Sequence, residues 1–178
     1  MRPHHRRLRR FLQTLKGVGD LRREENDKVG ALAAYEELLS LHRNGVCDSE
    51  NSEWQRTIWT DLNRLADLKL DVRDVDGALA AAEESLAIAR KLSEVAQTPH
   101  AWASSRLSEI ADITMGAIVR QVSRTELRKE QCERDFLFSL DQLCSVRFKA
   151  GDVSGALTAY EQMIGCEDVK AAPSRSLS

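Results

Sequence analysis

The sequence predicts an all-α protein built from repeated helical hairpins. Its composition favours helix, because the 178 residues include only three prolines and nine glycines. Alanine, leucine, glutamate and arginine, which lose little conformational freedom in a helix, are abundant instead. The second observation is an internal repeat, since a Gly-Ala-Leu segment occurs three times. A chain of this length can bury the core of one domain or of a short array.

The repeated segment begins at Gly30, Gly77 and Gly155, so that successive copies lie 47 and 78 residues apart. The similarity extends upstream of each glycine into a preceding helix. When the three copies are aligned, each set of equivalent positions forms a column. One column contains Arg9, Arg56 and Arg134, and another contains Phe11, Ile58 and Phe136. Apolar residues three and four apart lie on one face of a helix. Each unit is therefore predicted to be a hairpin of a first helix and a Gly-Ala-Leu helix.

Local signals predict where the helices turn and how closely they pack. Turns are expected near residues 26–28, 73–76 and 150–153. An aspartate precedes each second helix, where its carboxylate can cap free N–H groups and meet the positive end of the helix dipole. These aspartates are Asp27, Asp74 and Asp152. Small residues that allow close approach of the paired helices are Gly19, Ala31, Ala66 and Ala78.

The stretch between the second and last units fits the repeat poorly. Residues 107–112 resemble the first-helix columns, but no Gly-Ala-Leu segment follows. Ser123-Arg124-Thr125-Glu126 matches a capping box, which predicts a helix that starts there and runs to about Lys149. We expect one repeat domain over 1–167 and a disordered tail over 168–178. The predicted units are 7–43, 54–95, a degenerate 101–131, and 132–167.

The repeat columns resemble the tetratricopeptide repeat (TPR), whose signature runs W-x2-L-G-x2-Y, then A-x3-F, then P. The matching residues are Leu15, Val18, Gly19, Arg22, Ala31, Tyr35; Leu62, Leu65, Ala66, Lys69, Ala78, Ala82; and Leu140, Leu143, Cys144, Arg147, Ala156, Tyr160. The first aromatic is leucine, the tyrosine column is basic, and the closing proline is absent. Long-unit bacterial arrays with a Trp-Gln-Arg opening, as at residues 54–56, look most similar. The resemblance implies a right-handed α-solenoid of about three and a half units.

The resemblance also implies a function in protein binding, because first helices in this family line a groove for a partner. Carried over residue by residue, the groove positions are Lys16, Asp20, Arg23, Asn63, Asp67, Leu70, Phe138, Asp141 and Phe148. Both signs of charge occur and the last unit is more apolar, which favours a mixed peptide or helix as the partner. That these are ordinary solvated positions stays an equally open interpretation. We predict an interaction module or scaffold.

The charge distribution supports a competing hypothesis. Residues 1–19 carry six of the 26 basic residues and no acid, which leaves 20 basic against 28 acidic residues in the remainder. The arginines between Arg2 and Arg10 could bind nucleic acid or an anionic membrane surface. This interpretation is less favoured, since Arg9 and Phe11 occupy repeat columns and no interleaved aromatics follow. A third interpretation is a remnant of a longer TPR signalling protein, which would self-associate because its ends lack a polar cap.

No catalytic, cofactor or metal site is predicted. His4 and His5 are adjacent, whereas other histidines are isolated, so neither metal-ligand spacing nor a nucleophile–base pair emerges. The cysteines are widely spaced and are expected to be free and mostly buried; they are Cys47, Cys132, Cys144 and Cys166. No stretch is apolar and long enough for a membrane span or a signal peptide. We therefore expect a cytoplasmic protein without enzyme activity.

Overall fold

The computed structural model describes residues 3–44, 52–97 and 115–171, which form six helices and contain no strand. The helices are α1 (Pro3–Glu24), α2 (Lys28–Arg43), α3 (Ser52–Asp71), α4 (Val75–Gln97), α5 (Met115–Lys149) and α6 (Val153–Ala171). The predicted all-α class is confirmed for this part of the chain.

The helices pack in chain order as three hairpins. α1 pairs with α2, α3 with α4, and α5 with α6, while α2 also contacts α3 and α4 contacts α5. Thus α2 and α4 each join their own hairpin to the next one. A single apolar cluster runs through all three hairpins and includes Tyr35, Leu62 and Leu140. The right-handed superhelix and the count of three and a half units stay predictions.

The turns within the three hairpins share one backbone geometry. One residue in each turn has a positive φ, and these residues are Asn26 (63°), Arg73 (65°) and Gly151 (81°). An aspartate follows and accepts a hydrogen bond from the backbone N–H three residues later. The N···O distances are 2.9 Å at Asp27, 3.0 Å at Asp74 and 2.9 Å at Asp152. The predicted turns and helix caps are confirmed.

Small residues bring the paired helices close together, as predicted. A Cβ atom at Gly19 would lie 2.8 Å from Cε2 of the buried Tyr35, which belongs to the opposite helix of the same hairpin. Ala31, Ala66 and Ala78 are completely buried. A larger side chain at any of these positions would push the two helices apart.

The central stretch corrects one prediction. α5 is 35 residues long and begins at Met115, so Ser123–Glu126 lies inside the helix, and the predicted capping box was wrong. Residues 117–122 contain neither proline nor glycine, so nothing interrupts a helix that approaches from upstream. The predicted end at Lys149 is confirmed. Residues 107–112 lie outside the described residues, and the predicted unit boundaries stay predictions.

The last helix extends past residue 167, where the repeat domain is predicted to end, and the domain boundary itself stays a prediction. α6 continues to Ala171. Residues 172–178 of the predicted tail lie outside the described residues.

The left-handed backbone at Arg73 predicts a stabilising substitution. Because a Cβ atom disfavours positive φ, we expect Arg73→Gly to raise the free energy of unfolding by about 1 kcal/mol. Urea unfolding followed by circular dichroism measures this change. Arg73→Ala retains the Cβ atom and serves as the control. A gain in the alanine variant as large as that in the glycine variant would contradict the explanation by backbone strain.

Candidate interaction surfaces

The nine predicted groove residues differ widely in exposure. The exposed ones are Arg23, Asp67, Phe138, Asp141 and Phe148. Lys16, Asp20 and Leu70 are half-buried, and Asn63 is buried. The predicted positions therefore do not all present their side chains to a partner.

Asn63 belongs to a buried polar network that joins the second hairpin to the third. Its Oδ1 accepts a hydrogen bond from the Ser85 hydroxyl, and its backbone carbonyl accepts one from Gln142 Nε2 at 3.0 Å. The same Nε2 lies 3.2 Å from Oδ1 of Asp67, another predicted groove residue. The assignment of Asn63 to the groove is thus corrected, because the residue is buried, its side chain bonds to Ser85 of α4, and its backbone carbonyl bonds to Gln142 of α5.

Lys16 belongs to a second polar cluster, where α1, α2 and α3 meet. Its Nζ lies 2.7 Å from Oδ1 of Asp61, whose carboxylate is completely buried. The other carboxylate oxygen lies 3.5 Å from Nε2 of His42. The His42 ring packs against Trp54 with 4.3 Å between ring centroids. The cluster is an ion pair with a histidine beside it, and it stabilises the packing of the first two hairpins.

A small cavity of about 140 Å³ adjoins this cluster. Besides the four residues of the cluster, its walls include Arg9, Gln13 and Thr57. A space of this size holds a few water molecules. Among the described residues, no group of three or more histidine, cysteine or acidic side chains could hold a metal ion. The sequence alone did not identify His42 as part of a cluster, because only the packing of α2 on α3 places it beside Asp61.

Because the carboxylate of Asp61 is buried, its ion pair with Lys16 stabilises the folded state. We expect Lys16→Met to lower the free energy of unfolding by about 2–3 kcal/mol, because it leaves a buried charge without its cation. Urea unfolding is the measurement. The double variant Lys16→Met with Asp61→Asn should recover part of the loss. An unchanged stability of the single variant would contradict the assigned role.

Asp20, another predicted groove residue, belongs to a third polar cluster. The Tyr35 hydroxyl donates a hydrogen bond to Asp20 Oδ1, and Arg64 NH1 donates to both carboxylate oxygens at 2.9 and 3.0 Å. Arg64 NH1 also lies 3.0 Å from the Tyr35 oxygen. Burial, together with the hydrogen bond to Asp20, raises the pKa of Tyr35 to about 12. Asp20 is therefore already engaged within the first two hairpins.

The raised pKa of Tyr35 can be measured directly, because the chain contains only two tyrosines. In a Tyr160→Phe variant, we expect absorbance at the tyrosinate band to rise with a midpoint near pH 12 in the folded protein. In urea the midpoint should return to about 10. Since the folded pKa is the higher one, the stability from this group is present below pH 10 and is lost between 10 and 12. A midpoint near 10 in the folded protein would contradict the buried hydrogen bond.

Apolar side chains are exposed along one face of the last helix. Val153, Leu157, Tyr160 and Ile164 are all exposed, and their spacing of three and four residues places them on one side of α6. We call these four residues the rear face. In the repeat, Tyr160 and Ile164 correspond to Tyr35 and Leu39 of α2. Tyr160 is 49% exposed and Ile164 is 42% exposed, whereas the α2 residues are 0% and 2% exposed.

The first helix exposes a complementary set of columns. Arg7, Phe11, Thr14 and Leu21 are exposed, and we call them the front face. Leu21 is 61% exposed, whereas its counterparts Leu68 of α3 and Val146 of α5 are 1% and 0% exposed. Thr14 corresponds to Asp61 and Ser139, both buried. Every first helix has its paired second helix beside it. Only α3 and α5 also contact the second helix of a preceding hairpin, and this contact accounts for the lower exposure at these positions.

The cysteines are free where the structure describes them. Cys132 is buried, while Cys144 and Cys166 are half-buried. Burial raises the pKa of the Cys132 thiol. The expectation of mostly buried thiols therefore holds for Cys132 but not for the other two, and Cys47 lies outside the described residues.

No protein-family model and no curated protein matches the sequence. Solved structures that match include the crystal structure of MamA protein. It is 12% identical, the match covers 94% of this chain and 97% of that chain, and the TM-score is 0.22. The fold follows from the repeated contacts between helices within the chain itself. Among the described helices, none combines the length and apolarity needed to cross a membrane.

Proposed function

We propose that this chain is a protein-interaction module of the TPR type, which binds an amphipathic helix of another polypeptide on its rear face. One observation carries the proposal: the repeat columns of Tyr160 and Ile164 are buried in α2 and α4, which contact a following helix, but are exposed in α6. An apolar surface of this kind is typical of an interaction site. The polar clusters serve packing in this proposal, and we assign no catalytic activity to them.

The internal contacts indicate what kind of helix would fit the rear face. Inside the chain, α3 lies on the equivalent side of α2, and Lys69 Nζ of α3 lies 3.2 Å from a carboxylate oxygen of Glu36 in α2. The contact between α4 and α5 repeats this pair, with Arg147 3.2 Å from Glu83. Glu161 is the corresponding glutamate of α6. A partner helix would therefore carry an apolar stripe and one basic residue opposite Glu161.

The groove expected from the family resemblance is less well supported. Lys16, Asp20 and Asn63 form hydrogen bonds or ion pairs within the chain. Phe138 and Phe148 are exposed, but Phe138 also packs edge-on against Trp59, with ring centroids 5.9 Å apart. These three polar residues of the predicted groove are thus committed to the fold, whereas Arg23, Asp141 and the rear face are exposed.

A labelled peptide tests this proposal. Residues 52–71, which form α3 and lie on the equivalent side of α2, supply a helix of the required pattern when the peptide carries Asp61→Thr. Threonine is the residue that α1 has in this column (Thr14), and it leaves no charge unpaired on the rear face. We expect its fluorescence anisotropy to rise saturably on addition of the full chain. Leu157→Asp should abolish binding, because it places a charge in the centre of the apolar stripe.

Thr158→Asp is the matched control. Its column, which also contains Ala33 and Ala80, is exposed in every hairpin, so binding should persist. Equal binding to the wild type and to the Leu157→Asp variant would contradict the rear-face assignment.

A further inference from the structure

We infer that the partner of the rear face is the front face of a second copy of this chain, so that copies associate head to tail. The inference rests on the proposed function and names its partner. It would rebuild between copies the contact that joins consecutive hairpins within one copy.

The exposed faces at the two ends of the chain match each other. The rear face carries the columns with which α2 and α4 meet the next hairpin, and the front face carries those with which α3 and α5 meet the preceding one. Both halves of one repeated interface are therefore exposed on the same chain. Phe11 and Leu21 supply apolar side chains on one side, and Leu157, Tyr160 and Ile164 supply them on the other.

The two halves of a repeated ion pair lie at opposite ends of the chain, in α1 and α6. Within the chain, a basic residue of a first helix pairs with a glutamate of the preceding second helix, as in Lys69–Glu36 and Arg147–Glu83. Arg22 is the basic residue of α1. Its NH1 donates to the carbonyl of Gly30 at 3.1 Å, as Arg147 NH1 donates to Gly155 at 3.1 Å. The guanidinium is thus already held in place.

Glu161 completes this pair. It is exposed and, within the described residues, forms no ion pair. In a head-to-tail contact, Arg22 of one copy would face Glu161 of the next. Opposite charges at matching positions favour this partner over an unrelated apolar helix.

Covering the Thr14 position of the front face buries no charged side chain. The column that holds Asp61 in α3 holds Thr14 in α1, and its hydroxyl already donates to the carbonyl of Arg10 at 3.0 Å. Asp61 needs Lys16 and His42 beside it, whereas Thr14 needs no further partner. A second copy can therefore cover this column without leaving a charge unpaired.

Sedimentation velocity of the full chain over a range of concentrations tests the inference. Because the contact joins different faces, it leaves a free face at each end, and wild-type protein should form a series of species above the monomer. Leu21→Asp removes the front face and Leu157→Asp removes the rear face. Each variant alone should be monomeric, and a mixture of the two should form a one-to-one dimer that does not grow.

The outcomes separate the inference from the proposed function. A monomeric wild type at every concentration overturns the inference, and the proposed function survives if the 52–71 peptide still binds in a Leu157-dependent manner. Homodimers of the Leu21→Asp variant would indicate pairing of two rear faces and would also overturn the inference. Loss of both self-association and peptide binding would overturn the two proposals together.

A charge exchange identifies the register. We expect Arg22→Glu and Glu161→Arg each to weaken self-association, about two- to fivefold from the loss of the pair. A chain with both substitutions should regain most of the affinity. Weakening without recovery in the double variant would overturn the head-to-tail register proposed for Arg22 and Glu161.

Discussion

The close contact between the two helices of each hairpin determines where all other contacts form. Ala31, Ala78 and Ala156 occupy one column of the second helices and are buried against the first helix. The turn before this column is fixed by a residue with positive φ and by an aspartate cap. Because both constraints recur, the three hairpins present the same columns to their neighbours. Because equivalent positions face equivalent neighbours, the exposure of a residue in one hairpin can be compared with that of its counterparts in the other hairpins.

The interfaces between hairpins are not interchangeable, although they use the same columns. The first two hairpins share the buried Lys16–Asp61 pair with His42 beside it. Between α3 and α5, Trp59 Nε1 donates to Ser139 Oγ at 2.7 Å, and Arg56 lies 3.1 Å from Asp135. Buried polar groups need particular partners, so each interface is specific for its own pair of hairpins. Apolar residues provide the common contact surface, and polar residues distinguish one junction from the next.

Local features could be predicted from the sequence, whereas burial between hairpins could not. The caps at Asp27, Asp74 and Asp152 follow from short-range patterns, as does the close packing at Gly19. Asn63 and His42 look like surface residues in the sequence, because their burial depends on which helix covers them. The capping box predicted at 123–126 was wrong for a similar reason. The four residues match the motif, but the helix begins upstream at Met115.

The basic column of Arg22, Lys69 and Arg147 explains how hairpin closure is coupled to hairpin stacking. Arg147 donates to the Gly155 carbonyl within its own hairpin and lies 3.2 Å from Glu83 of the preceding one. Lys69 likewise contacts Asp74 at 2.9 Å within its hairpin and Glu36 at 3.2 Å outside it. A neutral side chain at this position would lack the charge that these pairs require. The basic residue therefore links neighbouring hairpins, and its counterpart in α1, Arg22, contacts Gly30 and Asp27 of its own hairpin.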